Sequence, residues 1–337
     1  MTRRADAVID RVDAELATFL DARAAELARL GPDLDPVCAA ARRFVLDGGK
    51  RLRPTFAYWG WRTVHGEDDD DSTLITAAAS LELLHACALV HDDVMDASDT
   101  RRGGPAAHAA FAALHRGHGW SGDPEVFGTA AAILLGDLLL TWADAMFTEA
   151  VPAGGAPRRV FDEMRQLVMA GQYLDVLVQA RAAWSPEEAL RVVEFKTAKY
   201  TVEGPLHLGA ALAGAPAGTL AALSAYGLAL GEAFQLRDDV LGVFGDPDLT
   251  GKPAGDDLRE GKHTLLTALA MAAADPEQAA VLQDGLGDRD LDAAQIARLQ
   301  KVIVETGALA AVEQQIATSA ARARAALEPD AVPPEAR

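Results

Sequence analysis

Two pairs of adjacent aspartates, each at the end of an apolar helical stretch, set the strongest constraint on how this chain can fold. The first lies in His91-Asp92-Asp93-Val94-Met95-Asp96, followed by Arg101-Arg102-Gly103, and the second in Gln235-Leu236-Arg237-Asp238-Asp239. Carboxylates in such places are costly unless something cationic neutralises them. On a helix Asp92 and Asp96 are four residues apart and share a face. One pair alone would usually be a solvated acidic turn. Two pairs in one chain point to hard divalent ions held between two helices, with an anionic ligand completing the coordination. Magnesium fits best, because it takes oxygen ligands, keeps several waters and is commonly held by a few carboxylates plus substrate phosphates.

The remaining composition bounds the fold class. Half of the 337 residues are apolar and only 6% are aromatic. Alanine and leucine dominate and β-branched runs are short, which favours helix nearly throughout. A formal charge of −19 argues against a nucleic-acid partner, which needs a basic surface. Cys38 and Cys87, the only cysteines, lie in apolar helical contexts and read as small core residues, with neither a disulfide framework nor a zinc site indicated. Charges recur through the first thirty residues, unlike a signal peptide, so a cytoplasmic protein is expected. Residues 205–231 carry no charged side chain, but Gly214-Ala215-Pro216-Ala217-Gly218 divides them into two shorter helices. Asp137 likewise interrupts residues 134–140, and no membrane span is expected.

Periodicity and breakers predict helices over 5–30, 35–46, from Pro54 onward, 73–96, 105–115, 125–150, 157–181, 186–202, 204–213, 217–243, 263–274, 276–284, 291–305 and 307–327. Residues 66–72 read as an exposed loop whose aspartates, Asp69 to Asp71, are solvated. Residues 245–262 read as a glycine-rich loop, and the tail after Glu328 as frayed. No repeat or domain boundary is evident. The pattern describes one all-α domain over residues 1–337, a bundle of long helices whose central members are apolar all round and therefore buried.

Cations are concentrated locally. Gly48-Gly49-Lys50-Arg51-Leu52-Arg53-Pro54 sets three of them at a helix start, where glycines allow close approach and the helix N-terminus favours anions. Lys196-Thr197 and Lys199 follow on a helix, then Lys252 and Lys262 in the glycine-rich loop. Cations for phosphates beside carboxylates for magnesium describe a diphosphate-handling site.

With these segments in view, the chain resembles a trans-isoprenyl diphosphate synthase of the polyprenyl synthetase family. The matching stretches are Gly48 to Pro54, Leu84-His85 to Asp96, Arg101-Arg102-Gly103, Gly136-Asp137, Lys196-Thr197, Gln235 to Asp239, and Gly251-Lys252 to Gly261-Lys262. They occur in the family's order over roughly residues 40–265. Any one is weak and the ordered set is specific. The resemblance implies an all-α fold around a central cavity, a homodimer, and head-to-tail prenyl transfer from an allylic diphosphate to isopentenyl diphosphate. It assigns Asp92, Asp93 and Asp96 to magnesium for the allylic diphosphate, and Asp238 and Asp239 to a further magnesium. Lys50, Arg53, His85 and Arg102 would hold isopentenyl diphosphate. Arg101, Lys196, Lys252 and Lys262 would hold the allylic diphosphate, with Thr197 and Gln235 near the developing cation.

Product length is expected to depend on the helix that leads to Asp92. Ala88, Leu84 and Leu81 lie near one face at four- and three-residue steps, and one turn rises about 5.4 Å, comparable to an isoprene unit. Cys87 and Ala88 are small where the shortest-chain members of the family tend to carry aromatics, so a growing chain should pass them and stop at Leu84 or Leu81. A geranylgeranyl product is the leading expectation, with farnesyl or longer products as alternatives. The family's second cluster commonly reads Asp-Asp-x-x-Asp, but position 242 here is glycine, which keeps a non-catalytic regulatory subunit in consideration. A class I terpene cyclase also uses an aspartate-rich helix, although it needs neither the Lys50/Arg53 pair nor the second aspartate pair.

Overall fold

The computed structural model of the chain describes residues 2–65, 70–151, 154–181, 184–246 and 255–327. Asp69, Lys252 and the tail after Glu328 lie outside the described residues. In chain order the helices are α1 (Thr2–Leu27), α2 (Asp35–Leu46), α3 (Leu52–Arg62), α4 (Ser72–Met95), α5 (Ala107–His118), α6 (Pro124–Ala150), α7 (Gly155–Arg181), α8 (Pro186–Val192), α9 (Gly204–Leu212) and α10 (Ala217–Phe244). They continue with α11 (Asp256–Glu260), α12 (Leu265–Ala273), α13 (Pro276–Gly285), α14 (Ala293–Glu305) and α15 (Ala308–Ala326). Among the described residues the strand content is one hairpin, β1 (Thr100–Arg101) paired antiparallel with β2 (Gly104–Pro105). The all-α expectation holds.

Local chemistry sets most of the helix boundaries. α6 opens with Pro124 in its first turn, while the Asp123 carboxylate accepts from the Glu125 and Val126 amides, satisfying donors that have no intrahelical partner. α13 and α14 open on reciprocal capping boxes, Asp275 with Gln278 and Asp292 with Gln295. Asp71 departs from the solvated reading, because it takes a two-pronged ion pair from Arg11 at 2.6 and 2.9 Å.

The chain forms two compact units. The first comprises residues 1–161 and 205–215, the second residues 162–204 and 216–335. In the first unit α4 is the core helix and packs along α6, with Leu74, Leu81, Leu83 and Leu84 of α4 and Leu135, Leu139, Met146 and Phe147 of α6 all buried. α4 and α6 are both long and apolar enough to cross a bilayer by length and composition, with 72% and 39% of their apolar windows buried. The central helices therefore differ: α4 is enclosed, whereas α6 leaves Val126, Ile133 and Leu134 exposed.

The second unit centres on α10, whose Leu236, Val240 and Val243 pack with Leu265 and Leu266 of α12, Leu282 of α13, Leu299 and Ile303 of α14 and Val312 of α15. The predicted helix over 186–202 is only partly α. From Val193 to Glu203 it winds as a π-helix, a rare i→i+5 form that often marks functional positions. Two glycines bring this segment against its neighbours: a Cβ on Gly171 of α7 would lie 2.5 Å from the Lys196 nitrogen, and one on Gly231 of α10 would lie 2.4 Å from the Ala198 Cα. Backbone contact from two sides is a tertiary property, which no propensity sum over 186–202 contains. The loop expected over 245–262 likewise contains the short helix α11.

Candidate active site

In the first unit the last turn of α4 divides its aspartates. Asp93 is fully buried, and its Oδ1 accepts from Arg101 Nε at 2.8 Å and from Arg101 Nη2. Its Oδ2 is buried with no hydrogen-bond partner. Burial pushes the Asp93 carboxyl above the usual range, and the Arg101 guanidinium opposes that shift. Asp92 and Asp96 are only half-buried, and Arg101 Nη2 stands 3.9 Å from Asp92 Oδ2. Arg101 thus spans the first pair from the hairpin that follows it.

Four guanidiniums gather near His85. Burial drives its pKa well below the ordinary histidine value, and the charges of Arg53, Arg102, Arg101 and Arg51 push the same way. The ring is therefore neutral, and its Nδ1 is buried without a partner. Arg102 has a left-handed backbone, and its Nη1 donates to the carbonyls of Phe44, Asp47 and Gly48 at 3.1–3.4 Å. Arg51 turns inward, to Glu82 Oε2 at 3.0 Å and Asp13 Oδ1 at 2.7 Å. Gly49 lets both guanidiniums pass, since a Cβ there would lie 3.1 Å from each. Lys50 is exposed. Arg43, Phe44, Asp47, Arg101 and Arg102 line a cleft of about 200 Å³. Such a group of cations around a neutral histidine suits a polyanion.

Along α4 the four candidate wall residues are in place. Leu81, Leu84 and Cys87 are buried and Ala88 is half-buried. Burial lifts the Cys87 thiol to about 12, helped by Asp137, so Cys87 is a packing residue and not a nucleophile.

In the second unit a pocket of about 90 Å³ gathers Asp175, Lys196, Thr197, Gln235, Asp238, Asp239, Asp257 and Lys262. Thr197 Oγ1 donates to Gln235 Oε1 at 2.6 Å, and Gln235 Nε2 donates to Asp239 Oδ1 at 2.8 Å. This chain fixes the orientation of the Gln235 amide. Lys196 pairs with Asp175 at 2.7 Å and Lys262 with Asp257 at 3.3 Å. Lys199 instead pairs with Glu203 at 3.0 Å. Asp175 and Asp257 were not singled out by the sequence. Asp175 carried a signal, being the one charged residue between Arg165 and Arg181.

The donor set fits a divalent cation. Burial pushes the Asp239 carboxyl up to about 8, with its Gln235 hydrogen bond opposing and Asp257 and Asp238 adding to the rise. A cation in this pocket would relieve that cost, and in the first unit, separately, Asp93 Oδ2 is free to accept one. Among the described residues no group of three or more acidic, histidine or cysteine side chains is placed to hold a metal ion by itself, so a bound ion would rely on water or an anion for the rest of its coordination.

The raised Asp239 pKa carries a stability prediction for the metal-free protein. The folded state keeps a proton that the unfolded chain loses near 3.8, so stability is expected to fall as pH rises from about 4 to about 8. Asp239→Asn is expected to raise the stability of chelator-treated protein at pH 9 by on the order of 1–3 kcal/mol and to leave it little changed at pH 4. Thermal denaturation at the two pH values checks this.

The family model for polyprenyl synthetase matches residues 35–303. The chain is 32% identical over 296 residues to a geranylfarnesyl diphosphate synthase from Aeropyrum pernix, covering 86% of each chain. It is 34% identical over 265 residues to an octaprenyl diphosphate synthase from Escherichia coli K12, covering 78% of this chain and 75% of that one. Its fold matches the crystal structure of a geranylgeranyl pyrophosphate synthase from Corynebacterium glutamicum complexed with isoprenyl diphosphate and magnesium. The TM-score is 0.94 at 43% identity, over 98% of this chain and 95% of that one. Carboxylate pairs, a guanidinium cluster around a neutral histidine and this breadth of likeness lead to one conclusion: the chain belongs to the polyprenyl synthetase family, whose members elongate trans-prenyl diphosphates.

Proposed function

We propose that the protein condenses isopentenyl diphosphate head to tail with an allylic diphosphate, using Mg2+, and releases geranylgeranyl diphosphate. The observation that carries this reading is the pocket in the second unit where carboxylates, lysines and the Thr197–Gln235 chain converge. In this reading Asp92, Asp93 and Asp96 hold magnesium for the allylic diphosphate, and Asp238 and Asp239 hold a further ion. Bound magnesium would supply neutralisation of the charge that builds on the departing diphosphate. Arg101, Lys196, Lys252 and Lys262 hold that diphosphate as the carbon–oxygen bond breaks. The oxygens of Thr197 and Gln235 face the allylic cation left behind. Lys50, Arg53 and Arg102 bind the diphosphate of isopentenyl diphosphate, and neutral His85 offers it a hydrogen bond. The double bond of isopentenyl diphosphate attacks the cation, and a proton leaves to the released diphosphate. No protein nucleophile is required.

The exposed Val126, Ile133 and Leu134 on α6 support a homodimer, since apolar patches of this kind mark association surfaces. The test is incubation with labelled isopentenyl diphosphate, magnesium and dimethylallyl, geranyl or farnesyl diphosphate, followed by chromatography of the dephosphorylated products. A twenty-carbon alcohol is expected; cyclic hydrocarbon, or silence in every combination, would overturn the proposal. Ala88→Phe on the α4 wall is expected to move the main product to fifteen carbons or fewer, as read in the same assay. Unchanged length would show that α4 does not set it.

A further inference from the structure

We propose that Trp184 is a positioning residue for the pocket in the second unit: stacked on His263, it holds the strap that presents Lys262 to the diphosphate of the allylic substrate. The strap, residues 261–264, joins α11 to α12. Lys262, His263 and Thr264 all line the pocket, beside Lys196, Asp238 and Asp239. The Trp184 and His263 rings lie 16° from parallel with their centroids 3.8 Å apart, in face-to-face contact. Trp184 is not itself a lining residue, so it reaches the site through the imidazole.

The backbone fixes the strap at both ends. Upstream, Gly261 has a left-handed φ of +68° and packs so closely on Gly287 that a Cβ would stand 2.8 Å from the Gly287 Cα. The Lys262 amide then donates to the Asp257 carbonyl at 3.0 Å. Downstream, Thr264 Oγ1 accepts from the Thr267 amide at 3.3 Å and caps α12, while Thr267 Oγ1 donates to the Lys262 carbonyl at 3.0 Å. His263 lies between these anchors, and the indole packs on its ring. That indole has a firm base, because the next residue, Ser185, caps α8 by accepting from the Glu188 amide at 3.3 Å. Trp184 is half-buried and stands outside the apolar core around α10. Filling that core therefore does not account for a large ring at this place. Without the stack the middle of the strap gains freedom, and a diphosphate must order it again on binding, at a cost in affinity.

This inference rests on the reading that Lys262 holds the allylic diphosphate, and the experiment separates the two. Calorimetric titration of the full chain with inorganic diphosphate and magnesium is run beside elongation kinetics with geranyl diphosphate. Trp184→Leu fills apolar volume but cannot stack. It is expected to weaken diphosphate binding by about five- to tenfold, and to raise the KM for geranyl diphosphate more than the KM for isopentenyl diphosphate or any fall in kcat. Trp184→Phe restores a ring and is expected to bind diphosphate within about twofold of wild type. In a His263→Ala background, Trp184→Leu is expected to cost nothing further, because the tryptophan acts through the imidazole. Wild-type affinity in Trp184→Leu, equal defects in the Leu and Phe variants, an equal rise in both KM values or additive losses in the double variant overturn the inference and leave the functional reading standing. Wild-type protein that binds diphosphate but elongates nothing overturns the functional reading, and the affinities of the variants still decide the inference. A wild-type protein that binds no diphosphate with magnesium overturns both.

Discussion

Asp92→Ala is expected to lower kcat/KM for chain elongation by about 10³-fold or more, with little change in helical circular dichroism. The effect is assigned to Asp92 and not to its neighbour for a geometric reason. Asp93 is fully buried and grips Arg101, so its removal would disturb the hairpin as well as the chemistry. Asp92 is half-buried in the last turn of α4, with Arg101 Nη2 at 3.9 Å. Truncating it removes a proposed cation ligand while the core of the first unit stays filled. Steady-state rates, together with manganese titration, check the assignment. Near-normal turnover in this variant would remove the first aspartate cluster from the chemistry.

The largest loss of stability is expected from Arg51→Met. Arg51 is 3% exposed, sits in the left-handed backbone region and holds Glu82, which is equally buried. Replacing the cation leaves Glu82 as an unpaired charge whose Oε1 already lacks a partner. Breaking one side of such a pair costs about 3–5 kcal/mol, a fall in Tm of roughly 5–10 °C for a chain of this size. Changing Glu82→Leu in the same background is expected to recover half or more, because no charge then remains buried. Thermal melts of the single and double variants measure both effects. The turn that carries Lys50 and Arg53 hangs on this pair, so the KM for isopentenyl diphosphate is expected to rise more than kcat falls. Wild-type stability in Arg51→Met would show that the pair does not anchor the basic turn.

Much of the site was readable along the chain because its signals are local. Asp92 and Asp96 are related by helical spacing alone, and Gly48-Gly49 before Lys50 announces close approach at a helix start. Charges standing alone in apolar runs are equally legible, and Asp175 could have been found that way. Arg51 illustrates the limit. In sequence it is one of three equivalent cations in a basic turn, and only the fold turns it toward Glu82 and Asp13. Asp93 is a second case: its sequence neighbours do not tell that it faces inward to Arg101 while Asp92 stays half-buried.

The amino-acid order alone settled the helical class and most helix limits, and it located the two acid pairs. Each of these follows from spacings within a few turns, where backbone geometry dictates which residues share a face. Tertiary structure decided the π-helical winding of 193–203 and the inward turn of Arg51. Those features depend on which backbones approach within van der Waals distance and on which carboxylates lose their water. Both are fixed by segments far apart in the chain, so no local window of sequence contains them.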